Sequence, residues 1–189
     1  MKNILMILMG LFVFAAACTD PALDPFKFDD IKKGSLITLR GDAVLLINVI
    51  SNRGAMDTFN ISGNVADYSL DFDTDFLADD INSLSEVQVY ASLTNGSGRQ
   101  RVGTVPGSAF VLATGAKYPT ATVKIPLADI LGPLGVSITD FAPNQYIYIE
   151  CDLTLTDGST VPASSFTNLS LFESDLFYPA HKILMLAKP

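Results

Sequence analysis

The sequence predicts an all-β sandwich. Strand-length segments of alternating polarity recur along residues 34–189. Gly, Pro, Asn and Asp punctuate them at turn positions. Only one stretch, after Pro126, carries a helical stripe.

Taken in order, Ala43–Ile50 is a dense aliphatic run, expected to be buried on both faces or to lie where the sandwich closes. Tyr68–Phe76 alternates Leu70, Phe72 and Phe76 with Asp71, Asp73 and Asp75. Glu86–Leu93 places Val87, Val89, Ala91 and Leu93 on one face and Glu86, Gln88, Tyr90 and Ser92 on the other. Asn95-Gly96-Ser97-Gly98 turns the chain, and Arg99–Val105 runs back. Ala121–Ile125 stops at Pro126, which opens a short helix of Leu127, Ile130, Leu131 and Leu134 that Gly132-Pro133 should break. Tyr146–Thr156 is the clearest strand: Ile147, Ile149, Cys151, Leu153 and Leu155 face inward, with Tyr146, Tyr148, Glu150, Asp152 and Thr154 outward. Asp157-Gly158 is a hairpin signal, Ser159–Phe166 its expected return strand, and Lys182–Ala187 the last strand.

The segment Phe141-Ala142-Pro143-Asn144-Gln145-Tyr146 resembles the tyrosine corner of immunoglobulin and fibronectin-III domains, one residue shorter than the common spacing. The expected fold is therefore an immunoglobulin/fibronectin-III-like β-sandwich with one short helix between strands. In such a fold the third and sixth strands pair, which here means Glu86–Leu93 beside Tyr146–Thr156.

The N-terminus carries a different signal. Lys2 is followed by an uncharged apolar run, Ile4–Ala17, too short for a comfortable transmembrane helix. Ala15-Ala16-Ala17-Cys18 resembles a lipobox, with Ala in the first position where Leu is commonest. Residues 1–17 read as a lipoprotein signal peptide, 18–33 as a lipid-anchored tether and 34–189 as the sandwich. Cys18 would carry a thioether diacylglycerol and an amide-linked chain, enough acyl surface for stable anchoring. A plain secretory signal with a chance cysteine is the alternative. The tether, rich in Pro and Asp, would reach at most about 50 Å.

Charge excludes some partners. The chain has net charge −8, and removing residues 1–17 takes away only the charge of Lys2, which is positive. An acidic chain without a basic stripe argues against nucleic acid and against docking on anionic lipid. Acylation of Cys18 would leave one thiol, on Cys151, and no intramolecular disulfide, so the fold must rest on its apolar core.

The order of motifs carries a resemblance. Ser85–Leu93 is followed by Val105-Pro106-Gly107-Ser108-Ala109-Phe110, by Tyr118-Pro119-Thr120-Ala121-Thr122-Val123, by a helix ending in Leu134-Gly135-Val136, and by Leu153-Thr154-Leu155-Thr156-Asp157-Gly158. This resembles Bacteroidota lipoproteins whose genes commonly lie beside starch-utilisation-system-type pairs of outer-membrane transporter and binding lipoprotein. The resemblance covers most of residues 34–170, and its motifs are strand alternation and turns. Residues 172–189 are less typical of it. It brings no catalytic residues. It implies an outer-membrane accessory lipoprotein, on the periplasmic or cell-surface face, linked to a transporter complex and nutrient uptake.

Little in the chain suggests catalysis. The single histidine, His181, stands near the C-terminus, and a Ser–His–acid or Cys–His arrangement would need it. Cys151 lies on an apolar strand face and reads as a small buried hydrophobe. Gly-x-Ser-x-Gly, His-Glu-x-x-His and Cys-x-x-Cys are absent. Asp71, Asp73 and Asp75 read as a solvated face, with a calcium loop of Asp75, Asp79 and Asp80 as the rival. Phe76 and Asn82 stand where an EF-hand needs Gly and Glu. No other cofactor is expected. A ligand surface is expected on the outward face of the paired strands, where Tyr90, Tyr146 and Tyr148 would join Gln88 and Glu150 and stack on sugar rings. The rival is that tyrosines simply make good strand residues. The expected function is a non-catalytic accessory or glycan-binding lipoprotein of an outer-membrane uptake system. The alternatives are a structural or adhesive protein that binds another protein through the sandwich, and a small hydrolase.

Overall fold

Period-two alternation builds two sheets whose apolar faces meet. The computed structural model describes residues 35–40, 57–94, 97–166 and 182–189, all within the compact unit Ser35–Pro189. The expectations for Cys18, for residues 1–33, for Ala43–Ile50 and for His181 lie outside the described residues. In chain order the strands are β1 (Leu36–Arg40), β2 (Asp57–Asn60), β3 (Ser69–Leu77), β4 (Leu84–Ser92), β5 (Gln100–Pro106), β6 (Thr120–Pro126), β7 (Tyr146–Leu155), β8 (Thr160–Val161) and β9 (Lys182–Lys188). One sheet has the order β1-β3-β6; the other runs β2-β9-β7-β4-β5, with β8 paired to β7. Every pairing is antiparallel except β2 with β9, which is parallel.

The core lies between the sheets. Ile37, Leu70, Phe72, Phe76, Val123 and Ile125 enter it from the smaller sheet. Val87, Val89, Ile147, Ile149, Leu153 and Met185 meet them from the larger one. On β3, Leu70, Phe72, Thr74 and Phe76 are buried as the alternation requires; Thr74 satisfies its hydroxyl on the Thr38 carbonyl at 2.9 Å. Opposite them, the β3 acids meet matched partners on β6. Asp71 faces Lys124 at 3.2 Å, Asp73 accepts from Thr122 Oγ1 at 2.5 Å and Asp75 accepts from Thr120 Oγ1 at 2.8 Å. This cross-strand ladder removes the repulsion that three aligned carboxylates would otherwise suffer.

The short helix α1 (Leu127–Leu134) closes one end, burying Leu127, Ile130 and Leu131. Two expectations change here. Pro126 is the N-cap, not a first-turn residue, and Gly132-Pro133 does not break the helix. Pro133 falls in the last turn of a short helix, where the lost N–H costs a single bond. Gly135 ends the helix in the left-handed region at φ 68°, its N–H reaching the Gly132 and Leu131 carbonyls. No helix among the described residues is long and apolar enough to cross a membrane.

The hairpin after β7 forms as expected, with Gly158 at φ 84°. Its return strand is shorter than expected, being only β8. Pro162 cannot donate to the ladder, and the chain turns into a 3-10 segment at Ala163–Phe166. Strand β4 also ends sooner. Ser92 was expected outside and is 1% exposed; Leu93 was expected inside and is 43% exposed. The Ser92 hydroxyl donates to the Thr94 carbonyl at 2.9 Å, so the chain leaves the pleat there and Leu93 swings outward.

Glycine fixes one crossing. A methyl group on Gly107 would fall inside the van der Waals surface of the Leu84 carbonyl, which is backbone and cannot rotate away. Gly107→Ala is expected to cost about 1–3 kcal/mol, read as a lower urea midpoint with the m-value unchanged. A wild-type midpoint would contradict this close approach.

Candidate functional site

The sequence grouped Tyr90, Tyr146, Tyr148, Gln88 and Glu150 on one outward face. Strands β4 and β7 do pair, with Tyr90 opposite Glu150, Gln88 opposite Asp152 and Ser92 opposite Tyr148. The structure nevertheless divides this set into two places with different chemistry.

Its polar half is a network around Arg99. The guanidinium lies 4.2 Å above the Tyr90 ring, and Nη2 donates to Asp152 Oδ1 at 2.8 Å. Nε stands 2.7 Å from Glu150 Oε2 but off the N–H axis, so that contact is an ion pair without a directed hydrogen bond. Lys182 Nζ is 3.9 Å from the other Glu150 oxygen, and Asp152 also accepts from the Ala163 N–H at 2.8 Å. Tyr90 donates to Gln88 Oε1 at 2.7 Å, and Gln88 donates to Glu86 Oε1 at 2.6 Å. Glu150, expected to be outward and exposed, is thus only 7% exposed. Tyr90 is already stacked, by its own chain. These side chains hold one another and form a brace that joins the β4–β5 turn to β4, β7 and β9.

The aromatic half is a groove of about 410 Å³ at one end of the sandwich. Ligand-binding clefts begin near roughly 300 Å³. Tyr146 and Tyr148 line it from β7, Leu93 from the end of β4, and Val136, Asp140, Phe141 and Gln145 from the loop after α1. Geometry within that loop explains its shape. The Ser137 N–H donates to Asp140 Oδ2 at 2.7 Å, and the Ala142 N–H donates to the Gln145 side-chain oxygen at 2.8 Å. Asn144 takes φ 68°, which Asn tolerates, and aims the chain into β7. Hydrogen bonds from the Ser137 backbone, then its side chain, hold the Asp140 carboxyl below its ordinary value. The Tyr146 hydroxyl makes no hydrogen bond among the described residues; this tyrosine lines a groove instead of tying a corner.

No known family model matches the chain. No curated protein is similar to it either.

The remaining candidates stand apart. Among the described residues, no three His, Cys, Asp or Glu side chains gather where a metal ion could sit, so Asp75, Asp79 and Asp80 are not brought together. Asp75 is occupied by Thr120, and Asp80 Oδ1 accepts from the Asn82 N–H at 2.9 Å within its own turn. Cys151 is fully buried, and desolvation, then the neighbouring Asp152 charge, push its thiol up to about 12. Iodoacetamide at pH 8 should leave Cys151 unmodified in the folded protein and alkylate it in guanidinium, read by peptide mass spectrometry. Alkylation at equal rates in both conditions would refute the burial.

Sequence reasoning missed Leu93, Gln145 and Asp140 as groove residues. A large apolar residue directly before the Thr94–Gly98 turn was the available signal for Leu93, because a strand end need not keep the pleat's alternation.

Proposed function

We propose that this chain is a non-catalytic, lipid-anchored binding component of an outer-membrane nutrient uptake system, holding a glycan in the groove of Tyr146 and Tyr148. The observation that carries the reading is the groove: two tyrosine rings and Leu93 offer apolar surface, while Gln145 and Asp140 offer hydrogen-bonding groups at its rim. Sugars present the same mixture, with apolar ring faces and polar edges. The leader ending in Cys18 and the acidic tether favour a domain held at a membrane and presented outward. The β4–β7 pairing and the helix-closed end favour an immunoglobulin-like topology. The buried Cys151 thiol favours binding over nucleophilic catalysis.

An adhesive role through a sheet edge is the second reading. Strand β5 borders the six-stranded sheet, but its register with β4 shifts at Val89/Tyr90 and it carries Arg101. Bulges and charges of this kind blunt an edge against strand addition, which favours the groove.

Tyr146→Ala with Tyr148→Ala should lower retention on the bound polysaccharide at least about tenfold, while Tyr90→Phe, outside the groove, should not. Unchanged retention of the double variant would overturn the reading. Co-purification of a transporter with the wild-type chain from detergent-solubilised outer membrane tests the uptake assignment.

A further inference from the structure

A second depression, about 290 Å³, shares Leu93 with the first. Thr94, Ser97, Gly98 and Gln100 line it from the β4–β5 turn, and Pro133 and Leu134 from the end of α1. Leu93 lines both depressions and is one of the few large apolar side chains left exposed among the described residues. It stands where strand alternation would have buried it.

Charge is distributed just as unevenly. The chain carries 12 Lys and Arg, yet none of the described residues lining either depression is one of them. Their single charge is the Asp140 carboxylate, which accepts the Ser137 N–H. An anionic ligand would meet repulsion there and, among the described lining residues, no cation to offset its lost hydration. Neutral hydroxyls meet acceptors and amides instead: the Asp140 carboxylate, the Gln145 and Gln100 side chains, and the Thr94 and Ser97 hydroxyls.

We propose that the two depressions are subsites of one cleft ridged by Leu93, and that the cleft takes a linear, neutral oligosaccharide and rejects acidic ones. This deepens the glycan reading above and rests on it. The sugar ring on the Tyr146–Tyr148 side gains the aromatic surface. The chain then crosses Leu93, whose side chain packs on the linkage region, and continues into the polar second depression.

The test uses the full chain in detergent. Titration calorimetry is run against neutral oligomers of glucose, mannose, xylose and galactose and against galacturonate oligomers, each from monomer to hexamer. At least one neutral series should bind, with affinity rising about tenfold or more from monomer to tetramer and then levelling. The galacturonate series should not bind. Leu93→Ala should lower tetramer affinity about tenfold and monomer affinity by a smaller factor; being exposed, this side chain can be truncated without loss of the fold. Equal binding of galacturonate and neutral oligomers, or equal affinity for monomer and tetramer, overturns the inference and leaves the glycan reading standing. No binding by any series overturns both.

Discussion

Replacing Arg99 with alanine should destabilise the domain by about 2–3 kcal/mol, far more than the loss of an ordinary surface charge. Its side chain is 27% exposed, so solvent screening lowers the effect below that of a fully buried pair. The cost arises from what stays behind. Among the described residues, Glu150, with a side chain 9% exposed, would keep only Lys182 at 3.9 Å, and Asp152 would lose the guanidinium and keep the Ala163 N–H. Tyr90 would lose the cation above its ring, a contribution of about 0.5–1 kcal/mol. Lysine at this position should not rescue, because a point charge cannot meet two carboxylates and cover a ring together. Lys124→Ala, which breaks the exposed contact with Asp71, should stay within about 0.5 kcal/mol. Urea unfolding of the three variants checks the order. An Arg99→Ala midpoint equal to that of Lys124→Ala would show that the brace contributes nothing.

Phe59→Ala should cost about 3–5 kcal/mol. Phe59 is 1% exposed and meets the Phe141 ring edge-to-face at a centroid distance of 5.2 Å. It is the only fully buried residue of β2, a strand otherwise polar. Both the cavity and the lost ring contact enter the total, the latter as about 0.5–1.5 kcal/mol. Because Phe59 is the one buried side chain of β2, its loss should also speed amide exchange at Ile61, whose N–H donates to the Lys188 carbonyl at 2.9 Å. Thr58→Ala, on the same strand, should change stability far less. Thermal unfolding and hydrogen exchange read both effects. Equal melting temperatures for the two variants would contradict the anchoring role.

What the sequence made legible was periodic. Strands β3, β4 and β7 alternate over many residues, and a wrong register would expose a whole apolar face, so their inner sides could be read directly. Strand ends were not legible in this way. Ser92 and Leu93 exchange places because a local hydroxyl bond overrides the pleat, and that exchange shapes the groove. Strands β1 and β2 went unanticipated for a different reason. Each is short, and β2, Asp57-Thr58-Phe59-Asn60, begins and ends on residues that strands avoid. It exists because distant partners hold it: β9 through the ladder, and Asp71 across the sandwich, whose N–H donates to Asp57 Oδ2 at 3.1 Å. Burial pushes the Asp57 carboxyl up in return. The Arg99 network was equally hidden. Tyr90 and Glu150 could be placed on one face, but a side chain from the β4–β5 turn arriving over both could not.

The position of β9 governs the order in which the domain assembles. The last described strand is not an edge: it lies between β2 and β7, parallel to the first and antiparallel to the second. Among the described strands, β2 pairs only with β9, so the larger sheet is completed when Lys182–Lys188 arrives. Contacts of such sequence separation form slowly. A chain synthesised from its N-terminus therefore keeps the larger sheet open until Lys182–Lys188 has been made. Under the export proposed above, that delay keeps the domain unfolded while it is threaded through the channel.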